Sequence, residues 1–297
     1  MSSFQPGHAS SVVLMVLATL LWSIAGVVSR QITQTQGFEV TFWRSFFTVI
    51  SLALGLTLAT QGRVWRIYEF RSVTLWLSGV CWSVMFTAFM LALTMTTVAN
   101  VLITLSLGPL LTALLHRWLS GQALARFTWW SIAWAAIGIG YMFMAQVQLN
   151  EGQHLKGMLI AVCVPMAGSV QWNLVKSRPT TETQPNMLLA ILIGAFISCV
   201  VTLPGAWPFH ASPTDMAWLA LLGVFQLALP CSLAVWSSRM LKPHEVAMLA
   251  LLEVIFGITW AWLGANESPS SSVIAGGSLV LIALATNEYF SWRQRHV

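Results

Sequence analysis

Ten apolar stretches of helix length divide the chain, and they constrain its fold more than any other feature. Most of them approach the ~20 residues that an α-helix needs to cross the ~30 Å hydrocarbon core of a bilayer. We therefore predict an all-α integral membrane protein with ten transmembrane helices. The predicted spans are Val12–Val28, Val40–Ala59, Val73–Thr94, Val98–Leu115, Phe127–Val147, Met158–Val175, Met187–Leu203, Met216–Ser238, Val246–Gly264 and Val273–Ala285.

The basic residues predict how these spans are oriented. Short cytoplasmic loops retain Lys and Arg, whereas loops on the other side of the membrane contain few. The gaps after odd-numbered spans hold only two basic residues, Arg30 and Lys156, and Arg44 lies inside the second span. Both termini are therefore predicted to be cytoplasmic. The remaining basic residues lie in the even-numbered gaps or after the last span: Arg63, Arg66, Arg71, Arg117, Arg126, Lys176, Arg178, Arg239, Lys242, Arg293 and Arg295.

Composition excludes several classes of protein. The chain is 57% hydrophobic and 8% charged, whereas a soluble domain carries about 25% charged residues. The pI near 9.4 is explained by the basic cytoplasmic loops, so we predict no nucleic-acid partner. The expected partners are membrane lipids and a small-molecule substrate. All four cysteines lie inside spans without Cys-x-x-Cys spacing, which argues against disulfides or a metal cluster.

The chain has two halves of five spans each. The longest polar gap, Gln148–Gly157, lies near the midpoint, and an odd number of spans makes the second half enter the membrane in the opposite direction. Residues 1–150 and 151–297 are thus predicted to be inverted five-helix repeats, an arrangement that places a transporter's substrate site near the midplane. Short matches support the repeat: Val27–Arg30 with Val175–Arg178, and Leu107–Pro109 with Leu252–Val254.

Enzymatic chemistry finds little support in the sequence. The six histidines lie at span ends or in loops, and no nucleophile–base pair is visible. No Gly-rich loop with a Lys is present to hold phosphates, so ATP does not drive this protein directly. We expect no catalytic residue, no metal and no cofactor. A channel or facilitator for a small polar solute remains the alternative, although inverted halves favour alternating access over a permanent pore.

Short motifs in four spans resemble one family of membrane proteins. The chain is similar to the EamA-type ten-helix exporters of the drug/metabolite transporter superfamily, and within them to the YddG-like exporters of aromatic amino acids. Its Gln122 replaces the Glu that usually closes span four in the family. Its Val254 replaces a frequent Pro, which predicts a straighter ninth helix. The motifs are Leu21–Ser23, Phe42–Phe46, Thr96–Asn100, Pro109–Leu115, Leu251–Glu253, Trp260–Leu263 and Glu267.

The resemblance implies an exporter of small metabolites, often amino acids, in the bacterial inner membrane. Its substrate site would lie in a central cavity between the two halves. A flux assay separates this function from the alternative, because a carrier saturates and shows counterflow.

Two charged residues lie inside the predicted spans, where charge is costly and usually faces the protein interior. Glu253 lies about seven residues into span nine. It could contact a substrate amine, carry a proton or pair with Arg44, or it could be a hydrogen-bonded or protonated core residue. Arg44 lies about four residues from its span end. It could serve gating or anion binding, or its long side chain could reach the membrane interface.

Polar and aromatic residues inside other spans complete the candidate site. Asn100 and Thr104 are one helical turn apart and share a face; they could line the cavity or bridge helices. Gln171, Asn173 and Gln226 have the same two interpretations. Deep tryptophans could form a cavity wall or face lipid. The predicted substrate-binding residues are Trp22, Arg44, Trp82, Asn100, Thr104, Gln171, Asn173, Gln226, Glu253 and Trp260.

Overall fold

The structure, a computed structural model, is built of α-helices, with no β-strand among the residues that it describes. Those residues are 7–35, 37–65, 70–121, 124–148, 152–176, 187–238, 240–241, 246 and 249–296. Some residues used in the predictions lie outside these ranges: Arg66, Gln122, Arg178, Arg239 and Lys242.

Twelve α-helices follow one another along the described chain. Eight helical stretches are long and apolar enough to cross a membrane, and two shorter apolar helices follow them. The prediction of an all-α membrane protein is therefore confirmed, while the count of ten spans stays a prediction. The helices are α1 (His8–Ser29), α2 (Phe38–Thr60), α3 (Val73–Met95), α4 (Val98–Leu105), α5 (Gly108–Ser120), α6 (Arg126–Gln148), α7 (Gly152–Lys176), α8 (Met187–Ala206), α9 (Pro213–Leu221), α10 (Leu229–Ser237), α11 (Leu252–Ala265) and α12 (Ser271–His296).

The fourth span is interrupted between α4 and α5. Pro109 has no N–H to donate to the carbonyl of Leu105, so the helical ladder of hydrogen bonds cannot continue through it. Ser106 and Leu107 keep helical dihedral angles, and the N–H of Leu107 bonds to the carbonyl of Thr104 at 3.3 Å. The span therefore changes its hydrogen bonding without reversing its direction.

The ninth span is also interrupted, while a straighter ninth helix stays a prediction, because Leu251 at the interruption keeps helical dihedral angles. Leu251 is a turn residue that separates α11 from the helical residues before it. The N–H of Val254 bonds to the carbonyl of Leu251 at 3.1 Å. This bond spans three residues instead of four, so the interruption needs no proline.

The eighth span contains a π-helix, Leu222–Ala228, between α9 and α10. The N–H of Leu229 bonds to the carbonyl of Val224, five residues earlier. Pro230 follows, and it has no N–H to give to the carbonyl of Gln226. π-Helical turns inside α-helices occur frequently at functional sites.

Long-range packing joins the two halves of the chain. Helix α1 packs against α10 and α11, α2 against α8 and the π-helix, and α3 against α7 and α8. Helix α7 also packs against α4 and α5, and α6 packs against α12. Small residues permit close approach in lipid: a Cβ added to Gly138 would lie 2.6 Å from the carbonyl oxygen of Gly276.

The outer surface suits a bilayer. Large apolar side chains that would be buried in a soluble protein are exposed here, among them Leu58 (78%), Trp118 (81%) and Trp130 (68%). In contrast, Arg44 and Gln226 are buried in the interior. This reversal of apolar and polar positions is expected when the surrounding solvent is lipid.

Candidate functional site

Arg44 is a fully buried cation in the middle of the helix bundle, with 0% of its surface exposed. Its Nη1 donates to Oε1 of Gln226 at 3.1 Å, and its Nη2 donates to the carbonyl oxygen of Phe86 at 3.0 Å. Its guanidinium carbon lies 5.8 Å from the centre of the Phe89 ring. Arg44 therefore points into the protein and does not extend to the membrane interface.

The guanidinium of Arg44 has bonding capacity left over. Its Nε is buried and has no hydrogen-bond partner among the described residues, and no carboxylate whose position is described lies within ion-pair distance of it. A buried cation without a counter-ion is costly. An anionic ligand would satisfy both the charge and the free donor.

Close packing between α2 and the π-helix positions Arg44. A Cβ added to Gly223 would lie 2.6 Å from the carbonyl oxygen of Arg44 and 2.6 Å from Cβ of Phe47. The hydroxyl of Thr48 donates to the carbonyl of Gly223 at 2.9 Å. Only glycine permits this approach, which brings Gln226 within reach of the guanidinium.

The π-helix also connects Arg44 to α1. Nε2 of Gln226 lies 3.5 Å from the carbonyl oxygen of Trp22, and the side chain of Trp22 lies near the thiol of Cys231 on α10. That thiol is buried and lies close enough to interact electrostatically with both Arg44 and Glu253. The structure thus brings together four of the predicted residues on four different spans.

Glu253 lies in the first turn of α11, immediately after the interruption of span nine. Its side chain is half-buried and has no hydrogen-bond or ion-pair partner among the described residues. In particular, it does not pair with Arg44, so that interpretation of the two charges is wrong for this conformation. The carboxyl group of Glu253 is therefore available to a ligand.

Trp82 adjoins this group through Phe86, whose ring centre lies 5.4 Å from that of Trp82. The indole N–H of Trp82 is buried without a partner in the described part of the chain. Trp260 lies seven residues after Glu253 and therefore on the same side of α11, with 40% of its surface exposed.

The predicted residues of span four bond within their own segment. The hydroxyl of Thr97 accepts from the N–H of Asn100 at 3.2 Å and so caps α4. Nδ2 of Asn100 donates to the hydroxyl of Thr96 at 2.9 Å, and the hydroxyl of Thr104 donates to the carbonyl of Asn100 at 2.7 Å. Oδ1 of Asn100 is buried without a partner among the described atoms.

Asn173 and Gln171, on α7, differ in their surroundings. Asn173 donates to the carbonyl of Thr112 at 3.3 Å and to that of Ser169 at 2.8 Å. It therefore bridges α7 and α5, which is one of its two predicted roles. Oε1 of Gln171 is buried and has no partner in the described structure.

Sequence reasoning missed a second group of charged residues at one end of the bundle. The backbone of α11 places Glu267: Asn266 adopts a left-handed φ of 52°, and the N–H of Glu267 bonds to the carbonyl of Ala261 at 3.1 Å. This Schellman-type ending turns the carboxylate toward α1. We call the end of the bundle that contains Arg30, Glu39, Asp215 and Glu267 the Arg30 end; it is the end predicted to face the periplasm.

Glu267 and Arg30 form an ion pair between the two halves of the chain. Oε2 of Glu267 lies 3.0 Å from Nε of Arg30, and Oε1 accepts from the N–H of Val98 at 2.6 Å. Arg30 also donates to the carbonyls of Leu93 at 2.7 Å and Thr96 at 2.9 Å. We call these residues the Glu267 cluster.

Asp215 joins the start of α9 to the loop between α1 and α2. Its Oδ2 accepts from the N–H groups of Gln34 and Thr35, each at 2.9 Å, and from the hydroxyl of Thr35 at 2.8 Å. Its Oδ1 accepts from the N–H of Thr33 at 3.2 Å. Asp215 is 1% exposed. We call this group the Asp215 cluster.

Glu39 makes a third contact between the halves. Its Oε1 accepts from the N–H groups of His210 at 2.8 Å and Ala211 at 2.9 Å. All three carboxylates come from gaps or span ends that hold little Lys or Arg. That acidic bias was the available sequence signal, because gaps with few Lys or Arg leave their carboxylates with few nearby cations.

Two grooves in the described surface lie away from these residues. One is lined by α6 and α12, including Trp130, Trp134 and Phe290, and the other by α5 and α6, including Leu111 and Phe143. Neither contains a predicted substrate-binding residue. The central cavity therefore stays a prediction.

Comparison with known proteins decides the family. The EamA-like transporter family matches the chain twice, over residues 9–144 and 155–287. The chain belongs to the EamA-like transporter family. Two curated relatives, each named pseudopaline exporter CntI, come from Pseudomonas aeruginosa strains UCBPP-PA14 and PAO1. Each is 22% identical over 285 residues, which cover 92% of this chain and 94% of the relative.

A solved structure supports the fold of this EamA-like chain. It is a crystal structure that is 15% identical in sequence, with a TM-score of 0.63, and the match covers 96% of this chain and 99% of the other. At this level of identity the likeness concerns the fold alone. Family membership thus rests on the family match, and the solved structure separately supports the multi-helix fold.

Proposed function

We propose that this EamA-like protein is an exporter of small metabolites in the bacterial inner membrane, specifically of amino acids or related amphipathic solutes, which works by alternating access. The observation that carries this proposal is the pair of unmatched charges, Arg44 and Glu253, near the thiol of Cys231. One comes from each half of the chain. A zwitterion supplies a counter-charge to both at once.

Arg44 and Glu253 bind different groups of the substrate. Arg44 binds the carboxylate through its free Nε, because a guanidinium forms strong charge-assisted hydrogen bonds with carboxylates. Glu253 binds the ammonium group. The ring of Phe89, whose centre lies 5.8 Å from the guanidinium carbon of Arg44, provides an apolar surface for the rest of the solute.

Inverted five-helix repeats, residues 1–150 and 151–297, provide the two halves that move in this cycle. The double match to one family supports this division. So does the packing: exchanging each helix for its counterpart converts the contact of α1 with α11 into that of α7 with α4 and α5. The same exchange converts the contact of α3 with α7 into that of α10 with α1.

The interrupted spans support the same arrangement. Spans four and nine are broken at Ser106–Leu107 and at Leu251, which are equivalent positions in the alignment of the two halves. In secondary transporters, a pair of interrupted helices in corresponding positions points to the binding site. Glu253 follows one of these breaks directly.

Metabolite measurements test the proposal. The medium of bacterial cells that express the gene should be enriched in one zwitterionic metabolite relative to cells that lack it. In proteoliposomes, flux of that metabolite should saturate and show counterflow. Flux that rises linearly with concentration would instead support a channel or facilitator.

Variants of Glu253 test the role of the charges. Glu253→Gln keeps volume and hydrogen bonding but removes the charge, so it should abolish transport of the zwitterion while the protein stays folded in the membrane. Thr259→Ala, on the exposed face of the same helix, is the matched control and should transport normally. Normal flux in Glu253→Gln would refute the assignment of this carboxylate.

A further inference from the structure

The four carboxylates whose side chains the structure describes fall into two groups. Glu39, Asp215 and Glu267 all lie at the Arg30 end, and each bonds to residues of the other half of the chain. Glu253 lies in the interior without such a partner. The three contacts hold the halves together at the Arg30 end in the conformation described here.

We propose that the Glu267 cluster is the gate at the Arg30 end, and that the Asp215 cluster is the pivot about which this end opens. The proposal rests on alternating access as proposed above. It assigns different roles to two sets of contacts that otherwise look alike, since both join a carboxylate of the second half to the first half.

Exposure distinguishes the two clusters. The side chains of Arg30 and Glu267 are 31% and 16% exposed, so water can replace their mutual contact as they separate. Asp215 is 1% exposed and receives four hydrogen bonds from three consecutive residues, Thr33–Thr35. Separating that cluster would leave the buried carboxylate of Asp215 and the buried N–H and hydroxyl of Thr35 without partners at once, whereas the Glu267 cluster can open stepwise.

Helix α11 links the gate to the interior. It carries Glu253 in its first turn and ends immediately before Asn266 and Glu267. Along its length it packs closely on the first half: a Cβ added to Gly264 would lie 2.5 Å from Cγ2 of Val27, and one added to Gly257 would overlap Leu102. A rigid movement of α11 therefore changes the position of Glu253 and the contact at Glu267 together.

The thiol of Cys231 reports on the opening of the gate. It is buried in the interior, so a charged, membrane-impermeant methanethiosulfonate reaches it only through an open path. The test uses the full chain with Cys81, Cys163 and Cys199 replaced by alanine. Labelling is measured in right-side-out and inside-out membrane vesicles, and thermal unfolding of each variant shows that it is folded.

We expect Glu267→Gln and Arg30→Gln each to raise the labelling rate about tenfold from the side of the Arg30 end, and not from the other side. The double variant should resemble each single variant, because one ion pair is broken only once. Gln31→Ala, an exposed neighbour outside the cluster, should leave the rate unchanged. Asp215→Asn should lower the unfolding temperature without a one-sided rise in labelling.

Other outcomes would overturn the proposal. An unchanged labelling rate in folded Glu267→Gln would show that this cluster does not control access. An equal rise from both sides would show general loosening instead of gating. Rapid labelling of the parent chain from both sides would contradict alternating access itself, so failure of the gate and failure of the proposed function give different results.

Discussion

The charged groups at the Arg30 end of the bundle have hydrogen-bond partners, whereas those described in its interior lack some or all of theirs. At the Arg30 end, the described carboxylates receive several hydrogen bonds each, and Arg30 is bonded to a carboxylate and two carbonyls. In the interior, Arg44 keeps an unpartnered Nε, and Glu253 has no partner among the described residues. Partnered charges stabilise a conformation, whereas unpartnered buried charges are costly and point to a ligand.

The largest expected effect concerns Arg44. Arg44→Gln should lower transport by about 100-fold, the loss expected when a charged contact of about 3 kcal/mol is removed. The free energy of unfolding should change by less than about 1 kcal/mol, because removing an unpaired buried cation relieves its desolvation cost. Flux in proteoliposomes and unfolding in detergent measure the two quantities.

Arg44→Lys is the control for charge alone, since it keeps the cation but loses the planar guanidinium. It should retain more transport than Arg44→Gln. If Arg44→Gln lowered the free energy of unfolding by several kcal/mol and left transport unaffected, Arg44 would have a structural role like that of the charges at the Arg30 end. The proposed difference between the two regions would then be wrong.

In contrast to Arg44→Gln, Asp215→Asn should lower stability and leave substrate binding unchanged. An uncharged amide can no longer accept four hydrogen bonds at a buried site, so the free energy of unfolding should fall by about 2–4 kcal/mol. Protein that remains folded should keep substrate affinity, because Asp215 does not contact the interior group. Chemical unfolding and a binding measurement test this; weakened binding with unchanged stability would contradict the structural role.

The smallest effects come from two glycines, one in each region. Gly223→Ala should destabilise by about 2 kcal/mol, because its Cβ would lie 2.6 Å from the backbone oxygen of Arg44. Gly264→Ala should lower the free energy of unfolding by less, since its Cβ would contact the side chain of Val27, which can shift.

Gly55→Ala is the matched control on α2. Nothing lies within 4 Å of its added Cβ, so replacing glycine inside a helix should stabilise by up to about 1 kcal/mol. Thermal unfolding of the three variants gives the order. If Gly223→Ala and Gly264→Ala lowered stability equally, the helices would pack no more tightly at Arg44 than near the gate.

The amino-acid sequence by itself determined the class of fold and much of the candidate site. Helix-length apolar stretches dictate membrane helices, because a bilayer leaves no other way to satisfy backbone groups. The cost of burying charge was enough to select Arg44 and Glu253 from the whole chain. The family resemblance rested on short motifs such as Phe42–Phe46, and the family match confirms it.

Only the tertiary structure decided which of these residues act together. Gln226 contacts Arg44 because a π-helix and Gly223 bring two distant spans close, and no local pattern encodes that approach. The sequence placed Cys231 only as one of four cysteines inside spans, and Asn173 proved to bridge two helices. The contacts of Glu39, Asp215 and Glu267 depend on loops from opposite halves meeting at one end, which sequence spacing cannot specify because the partners lie more than a hundred residues apart.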